Sequence, residues 1–424
     1  MRFLFVTEYF PPFVRGGAEI SLEILVEELV KNNHEVKVLT PNYSSFETEI
    51  EKKGSLKIIR FKSFRSFLFK KRERTSHEVY KKTKPIFYLL LEQYLKYSSY
   101  ELKKNTKYIL KKEKFDVIHA NNLESILALN NIKTSAKKIA HLRDFGLFCY
   151  NRGLDNSGKL CKGCSEKNLK SCMNAKEIVN KLLLMEMKRR INILSKLSSF
   201  DLLVAISKFV KQQYVDIFGA DKNRIEVMYN PISPHVISDL SKDEARKLLN
   251  LPKDRKIVLF VGSLTEEKGA HLIPKIAKKL KEYLFVVIGD GIMKDLFLKN
   301  RQKNIKYFGY LPISKIKHYY KASDVLLVPS IWHEPFGRVC IEAMINGIPC
   351  IVSNRGALPE VVRNAGIVID NILDINSWIQ AIRILNEDTK LYNKLSERTK
   401  RRAKIFDFER QYKKFKLILK QLIS

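Results

Sequence analysis

Pro329-Ser-Ile-Trp-His-Glu334-Pro-Phe-Gly337-Arg-Val-Cys-Ile-Glu342-Ala-Met-Ile-Asn-Gly347-Ile-Pro349 stands between two short apolar runs, Val325–Val328 and Cys350–Ser353. Each run has strand length and is bounded by turn residues, so it reads as a strand buried on both faces. Between them, the segment after Gly337 reads as a helix, with Glu334 in the loop before it and Glu342 inside it. Strand, loop, helix, strand is the crossover unit of a parallel sheet.

The same alternation runs outward in both directions. In the first half the expected strands are Arg2–Thr7, Glu35–Thr40, Leu56–Phe61, Asp116–Ala120, Lys138–Leu142, Leu202–Ile206 and Arg224–Tyr229. In the second they are Ile257–Gly262, Leu284–Ile288, Ile305–Phe308, Val325–Val328, Cys350–Ser353 and Gly366–Ile369. The pattern restarts after Asn230-Pro-Ile-Ser-Pro234, whose prolines read as a linker. The segment Phe408–Leu422 has helical spacing and no strand after it, so it reads as a closing helix. The expected fold is therefore α/β, with lobes at 1–230 and 231–404 and a terminal helix at 405–424. Ligands of such open sheets bind beyond the carboxyl ends of the strands, so the loops of the two lobes are expected to face one another across a cleft.

Composition narrows the class. The 424 residues are 45% hydrophobic and 29% charged, with scattered Gly and Pro and no fixed repeat, which excludes disorder and solenoids. Met1–Thr7 is too short for a signal-peptide core and no run approaches a spanning helix, so a cytoplasmic location is expected. A net charge of +33 attracts polyanions or anionic bilayers. Between Arg60 and Lys114 the basic residues alternate with Phe61, Phe64, Phe67, Phe69, Phe87, Tyr88, Tyr94 and Tyr97. That mixture suits the inner face of a membrane, held peripherally, or an amphipathic helical hairpin with solvated lysines. No zinc-finger, helix-turn-helix or RNA-binding signature supports specific nucleic-acid binding.

Three motifs carry chemistry. Gly16-Gly17, between the first strand and a helix, lets backbone N–H groups approach an anion at a helix N-terminus, or simply makes a tight turn. Gly262-Ser263 leads to Glu267-Lys268-Gly269, where a lysine can neutralise a diphosphate leaving group or stand solvated at a helix start. Glu334 and Glu342 can each grip hydroxyls through charge-assisted hydrogen bonds, and the N–H groups around Gly337, Arg338 and Val339 can face a phosphate or sugar oxygen.

These residues, in this order with Ile288-Gly-Asp-Gly291, Asn230-Pro231 and Leu358-Pro-Glu360, resemble the retaining nucleotide-sugar glycosyltransferases of family four. The resemblance covers nearly the whole chain. It implies a GT-B fold of two Rossmann-like, doubly wound lobes, with the closing helix crossing back to the first. It further implies a UDP- or GDP-sugar donor bound mainly by the second lobe, retention at the anomeric carbon, and no obligatory metal for the chemistry. By this similarity Glu334 and the Phe336–Arg338 backbone orient the donor sugar, Glu342 holds the ribose, and Lys268 meets the diphosphate. Gly289, Gly291 and Leu311 then lie near the nucleotide, with Asn230, Gly262 and Ser263 completing the donor set. The acceptor is expected to be a hydroxyl of a glycan or lipid-linked glycan, as in cell-surface polysaccharide or glycoconjugate synthesis.

Two departures stand out. Ser263 occupies a place where many relatives carry arginine, which shifts phosphate charge onto Lys268 with help from Arg338. On the acceptor side, Ala140-His141-Leu-Arg143-Asp144 aligns Arg143 and Asp144 with the family's usual His-Asp pair. Arg143 cannot act as a base, which suits a mechanism in which the leaving phosphate takes the acceptor proton. His141 shares a strand face with Arg143 and is a second acceptor-side candidate. A purely structural Arg143–Asp144 pair is the alternative.

Cys149, Cys161, Cys164 and Cys172 fall in one insertion of about 149–172 directly after Asp144. In a cytosolic chain this spacing favours a structural zinc, with disulfides as the alternative. Two other functions remain on the sequence alone: a nucleotide-sugar epimerase on the same architecture, and a non-catalytic basic membrane-binding module.

Overall fold

The computed structural model describes residues 1–14, 16–63, 84–150, 152–156, 159–173, 177–194 and 197–423, apart from the side chains of 84–95, 156, 173, 177–180 and 193–194. The chain divides into two compact units, Met1–Asn230 with Gln411–Ser424, and Pro231–Arg410.

The first unit is built on β1 (Arg2–Val6), β2 (Glu35–Pro41), β3 (Glu49–Lys53), β4 (Leu56–Phe61), β5 (Val117–Ala120) and β6 (Lys137–Leu142). A separate hairpin, β7 (Asp155–Asn156) with β8 (Lys159–Leu160), lies in the cysteine insertion, and β9 (Leu202–Ala205) and β10 (Ile225–Val227) complete the main sheet. Its order is β10-β9-β6-β5-β1-β2-β4-β3. All neighbours are parallel except β3, which runs antiparallel to β4 at the edge. Phe3, Leu4, Phe5 and Val6 are all fully buried, because a central parallel strand has no face toward water. The strand order reverses between β1 and β5, so the loops after these two strands diverge and leave a crevice at their carboxyl ends.

The second unit carries β11 (Ile257–Val261), β12 (Leu284–Ile288), β13 (Ile305–Tyr307), β14 (Val325–Val328), β15 (Cys350–Ser353) and β16 (Gly366–Ile369) in the order β13-β12-β11-β14-β15-β16. Every pairing is parallel. Here the reversal falls between β11 and β14, which pair through Val258–Val325 and Leu259–Leu326. Phe260, Phe285, Leu327, Ile351, Ile382 and the fully buried Trp378 belong to one core.

The closing helix runs Phe408–Ile423. Its buried Tyr412, Phe415 and Leu419 share a helical stripe and join Leu22, Val26 and Leu29 of the helix Gly17–Lys31 in the first unit's core. Burying a side chain such as Phe415 stabilises the native state by about 1.5–3 kcal/mol.

Among the described residues no helix is long and apolar enough to cross a membrane. Phe64, Phe67 and Phe69 of the basic aromatic stretch, with the side chains of Phe87, Tyr88 and Tyr94, lie outside the described residues.

Candidate active site

In the second unit, β11 and β12 end in glycines that let two loops touch backbone to backbone. A Cβ on Gly289 would lie 1.8 Å from the Gly262 carbonyl oxygen, and one on Gly291 would lie 2.6 Å from that of Leu264. The Leu264 N–H donates to the Asp290 carbonyl at 2.9 Å, and the Gly289 N–H to that of Gly309 at 2.8 Å. Only glycine permits this approach. Ser263 stands exposed in the first loop, and Leu311 is half-buried just beyond Gly309.

The next turn carries Lys268 to the loop after β14. Gly269 has φ +69°, and a Cβ there would meet the Pro329 carbonyl oxygen at 2.0 Å. The N–H groups of Ile331 and Trp332 donate to the Glu267 carbonyl at 2.8 and 3.2 Å. So fastened, the two loops bring the Lys268 ammonium to 2.7 Å from Glu334 Oε1 and 4.5 Å from the centre of the Trp332 ring. Ser330 Oγ donates to the same Oε1 at 2.7 Å. Burial pushes the Glu334 carboxyl up, but the Lys268 charge and the donors around it outweigh burial and hold it below the usual range. Glu334 is 6% exposed and ionised.

Gly356 closes the opposite wall. It has φ +63°, and a Cβ would lie 2.2 Å from the Glu334 carbonyl oxygen. Its N–H donates to His333 Nδ1 at 3.1 Å. Burial, then the Arg355 charge, lowers His333 to about 4, so its ring is neutral and accepts this bond.

Gly337, at φ +93°, turns the chain into the helix Arg338–Ile345. Phe336 is buried with its ring 5.7 Å from Phe406, and Val339 is half-buried in the first helical turn. Glu342 receives the Tyr320 hydroxyl at 2.9 Å and lies 3.3 Å from Arg338 Nε. Arg338 also donates to the Pro231 carbonyl at 3.2 Å. The expected pair of acids is thus two cation–carboxylate pairs, Lys268–Glu334 and Arg338–Glu342, with Arg338 engaged by Glu342.

In the first unit, Arg143 is gripped by two asparagines. Its Nε and Nη2 donate to Asn121 Oδ1 at 3.0 and 2.7 Å, and Nη1 to Asn230 Oδ1 at 2.8 Å. Asp144 accepts from the Gly146 N–H at 2.8 Å and pairs with Arg152 at 3.3 Å. Arg143 and Asp144 are therefore held by different partners. His141 departs from its expected acceptor-side place: it is 1% exposed, and its Nδ1 lies 3.3 Å from His119 Nε2. His141 pairs in register with Val204 inside the sheet, whereas Arg143 lies beyond the last pair. Burial, then the Arg143 charge, keeps His141 neutral. At Gly16 the N–H is committed to Glu19 Oε2 at 2.8 Å, and a Cβ would meet nothing within 4 Å. Gly17 opens the helix.

The thiols of Cys149, Cys161, Cys164 and Cys172 lie near enough to act on one another. Among the described residues no cysteine is in a disulfide, and no group of three or more Cys, His, Asp or Glu is placed to hold a metal. Cys161 Sγ donates to the Gly163 carbonyl at 3.4 Å and Cys164 Sγ to that of Phe148 at 3.6 Å. Burial, then neighbouring thiols, raises Cys164 to about 12 and Cys149 further, which keeps both protonated.

Several site residues were not singled out from sequence. Asn121 follows β5 as Arg143 follows β6, so its place after a strand was the available signal. Glu8 and Glu124 are both buried and face each other; burial and the Glu8 charge raise the Glu124 carboxyl well above its usual range, with Arg152 opposing. Trp332, Tyr320 and Gly356 act through neighbours distant in sequence, whereas Ser330 acts on Glu334 four residues on.

Comparison with known proteins matches residues 15–236 to the family Glycosyltransferase Family 4 and residues 241–402 to Glycosyl transferases group 1. An uncharacterised glycosyltransferase of Methanocaldococcus jannaschii is 27% identical over 378 residues, covering 84% of this chain and 82% of that one. Sucrose-phosphate synthase of Thermosynechococcus elongatus superposes with TM-score 0.73 at 18% identity, covering 99% of this chain and 98% of that one. Anabaena HepE in complex with UDP-glucose superposes with TM-score 0.66 at 17% identity, covering 99% and 100%. These likenesses identify the fold as GT-B.

Proposed function

The chain belongs to glycosyltransferase family 4, and on that premise we propose that it transfers a sugar, with retention, from a UDP- or GDP-sugar to a hydroxyl of a glycan or lipid-linked glycan. The observation that carries this reading is the Lys268–Glu334 pair at the β11/β14 reversal, where a cation and a buried, ionised carboxylate are in direct contact. A sugar diphosphate needs both: positive charge for the phosphates and a charged acceptor for sugar hydroxyls. HepE holds UDP-glucose in its structure, which supports a nucleotide-sugar donor here.

In this reading Lys268 meets the diphosphate, Glu334 orients the donor sugar, and Glu342 holds the ribose. The acceptor oxygen forms a bond to the anomeric carbon as the bond from that carbon to the β-phosphate oxygen breaks on the same face. The departing phosphate takes the acceptor proton. Arg143, always charged, and Asp144 position the acceptor without removing its proton, and no metal takes part in the step.

The acceptor reading extends to an anionic membrane surface. On the helix Lys84–Lys112, Tyr100 and Tyr108 are 62% and 58% exposed beside exposed Lys104, Lys107 and Lys111, a mixture suited to lipid headgroups.

Thermal shift with UDP, GDP, UDP-glucose and GDP-mannose tests the donor class, since a ligand of the native state raises apparent stability. At least one nucleotide sugar is expected to stabilise the chain and to be slowly hydrolysed with retained anomeric configuration by NMR. No stabilisation and no hydrolysis across the set refutes the reading, and an inverted product refutes the retaining step. Flotation with anionic vesicles checks the membrane partner, which failure to float rules out.

A further inference from the structure

Trp332 is a large side chain beside the Lys268–Glu334 pair to which donor binding gives no task. Its backbone is fastened to the turn that carries Lys268, through its N–H and that of Ile331 to the Glu267 carbonyl. Its ring face lies under the ammonium at 4.5 Å, a distance at which the ring quadrupole attracts a cation. Its indole Nε1 is screened from solvent and makes no hydrogen bond of good geometry, but it lies near enough to Glu334 to lower that carboxyl, a contact that gains free energy if it tightens.

The Lys268–Glu334 contact shows when that tightening comes. The ammonium is bound to Glu334 at 2.7 Å. A diphosphate draws it away, and a carboxylate that is 6% exposed cannot lose its cation without another donor. Ser330 Oγ already supplies one bond at 2.7 Å. The Trp332 N–H is the second group within influence of that carboxylate, whose proton affinity it already lowers.

We propose that Trp332 is a positioning residue for the donor: its ring face holds Lys268 in reach of the diphosphate, and its indole N–H takes over Glu334 once Lys268 has turned to the phosphates. This rests on the nucleotide-sugar reading above. The two parts of the side chain then serve two parts of the ligand, the ring the diphosphate and the N–H the sugar that Glu334 orients.

Trp332→Phe keeps a ring and removes the N–H, whereas Trp332→Ala removes both. Calorimetric titration of the full chain with UDP and UDP-glucose, or with GDP and GDP-mannose if the wild type prefers guanine, separates them. Trp332→Phe is expected to bind the free nucleotide within about twofold of wild type but to lose about three- to tenfold in the nucleotide-sugar over nucleotide affinity ratio, and as much in donor hydrolysis. Trp332→Ala is expected to lose that ratio and also about three- to tenfold in free-nucleotide affinity. If Trp332→Ala does not fold, as judged by its melting profile, the ratio in Trp332→Phe decides alone. An unchanged ratio in Trp332→Phe, or unchanged nucleotide affinity in a folded Trp332→Ala, overturns the proposal. A wild type that binds none of the four ligands overturns the functional reading, and this role with it; a wild type that binds them with unaltered variants overturns this role only.

Discussion

Replacing Glu334 by Gln separates the two halves of the donor pocket. Two unit charges 2.7 Å apart attract by about 6 kcal/mol at an effective dielectric near 20. Lys268 keeps 28% of its side chain exposed and Glu334 is nearly fully desolvated, so screening and desolvation return most of that and leave about 1–2 kcal/mol. In the wild type a diphosphate must overcome this contact to recruit Lys268. Glu334→Gln removes the competitor at constant shape, so UDP should bind about 5- to 30-fold tighter. Donor hydrolysis should fall at least about tenfold, because a charged acceptor for the sugar hydroxyl becomes a neutral one. Isothermal titration with UDP and an assay of released sugar read the two effects separately. Weaker UDP binding in Glu334→Gln, or hydrolysis at the wild-type rate, refutes the reasoning. Lys268→Met is the converse: it strands Glu334 without a cation, at about 3 kcal/mol, and burial then raises its folded pKa above the unfolded value. The sign follows: the variant is closest to wild-type stability at acid pH and loses stability as pH rises through that raised pKa.

The buried histidines set an acid limit. Burial depresses His119 to about 3 and His333 to about 4 in the folded chain, so the unfolded chain binds more protons below about pH 6.5 and stability falls as pH drops toward the folded values. At pH 5 each costs about 2 kcal/mol; His333→Asn, which retains an acceptor for the Gly356 N–H, should flatten the pH dependence of the second unit's melting, and an unchanged slope would remove His333 from the account. Glycines provide an internal comparison. Gly356→Ala places a Cβ 2.2 Å from the Glu334 carbonyl oxygen at φ +63° and should lower the melting temperature and donor hydrolysis together. Gly16→Ala meets nothing within 4 Å and should melt as wild type, so any loss of ligand affinity there reports an approaching ligand rather than a damaged fold.

The central strands, buried on both faces, were legible because each is a compact apolar run, and all the expected strands, the half-buried β10, β13 and β16 included, occur in the structure to within a residue or two. The strand missed from the main sheet, β3, is Glu49-Ile-Glu-Lys-Lys53, exposed along most of its length. An edge strand held by backbone bonds to β4 needs no apolar signal, and its charges discourage further pairing. The hairpin β7–β8 was missed for a related reason: two-residue strands carry no period.

Site chemistry was legible in residue types but not in partners. Lys268 and Glu334 are 66 residues apart and meet at 2.7 Å because β11 lies beside β14, with two strands of the sequence between them placed on the far side of β11. That reversal turns the loops after Val261 and Val328 into neighbours and points them at one ligand. The first unit repeats the device: β1 beside β5 sets Glu8 next to Glu124, and β5 beside β6 lets Asn121 take the Arg143 guanidinium. A strand face can be read from alternation, which is why His141 and Arg143 were considered together. How deep along that face a side chain sits depends on how many residues the strand extends past its neighbours. His141 pairs in register with Val204 and so stays inside the sheet, whereas Arg143 lies one residue past the last pair, Leu142 with Ala205, and emerges. Polar residues one or two places beyond the last paired position are therefore the ones that can meet a ligand, and those within the ladder must find their partners in the core.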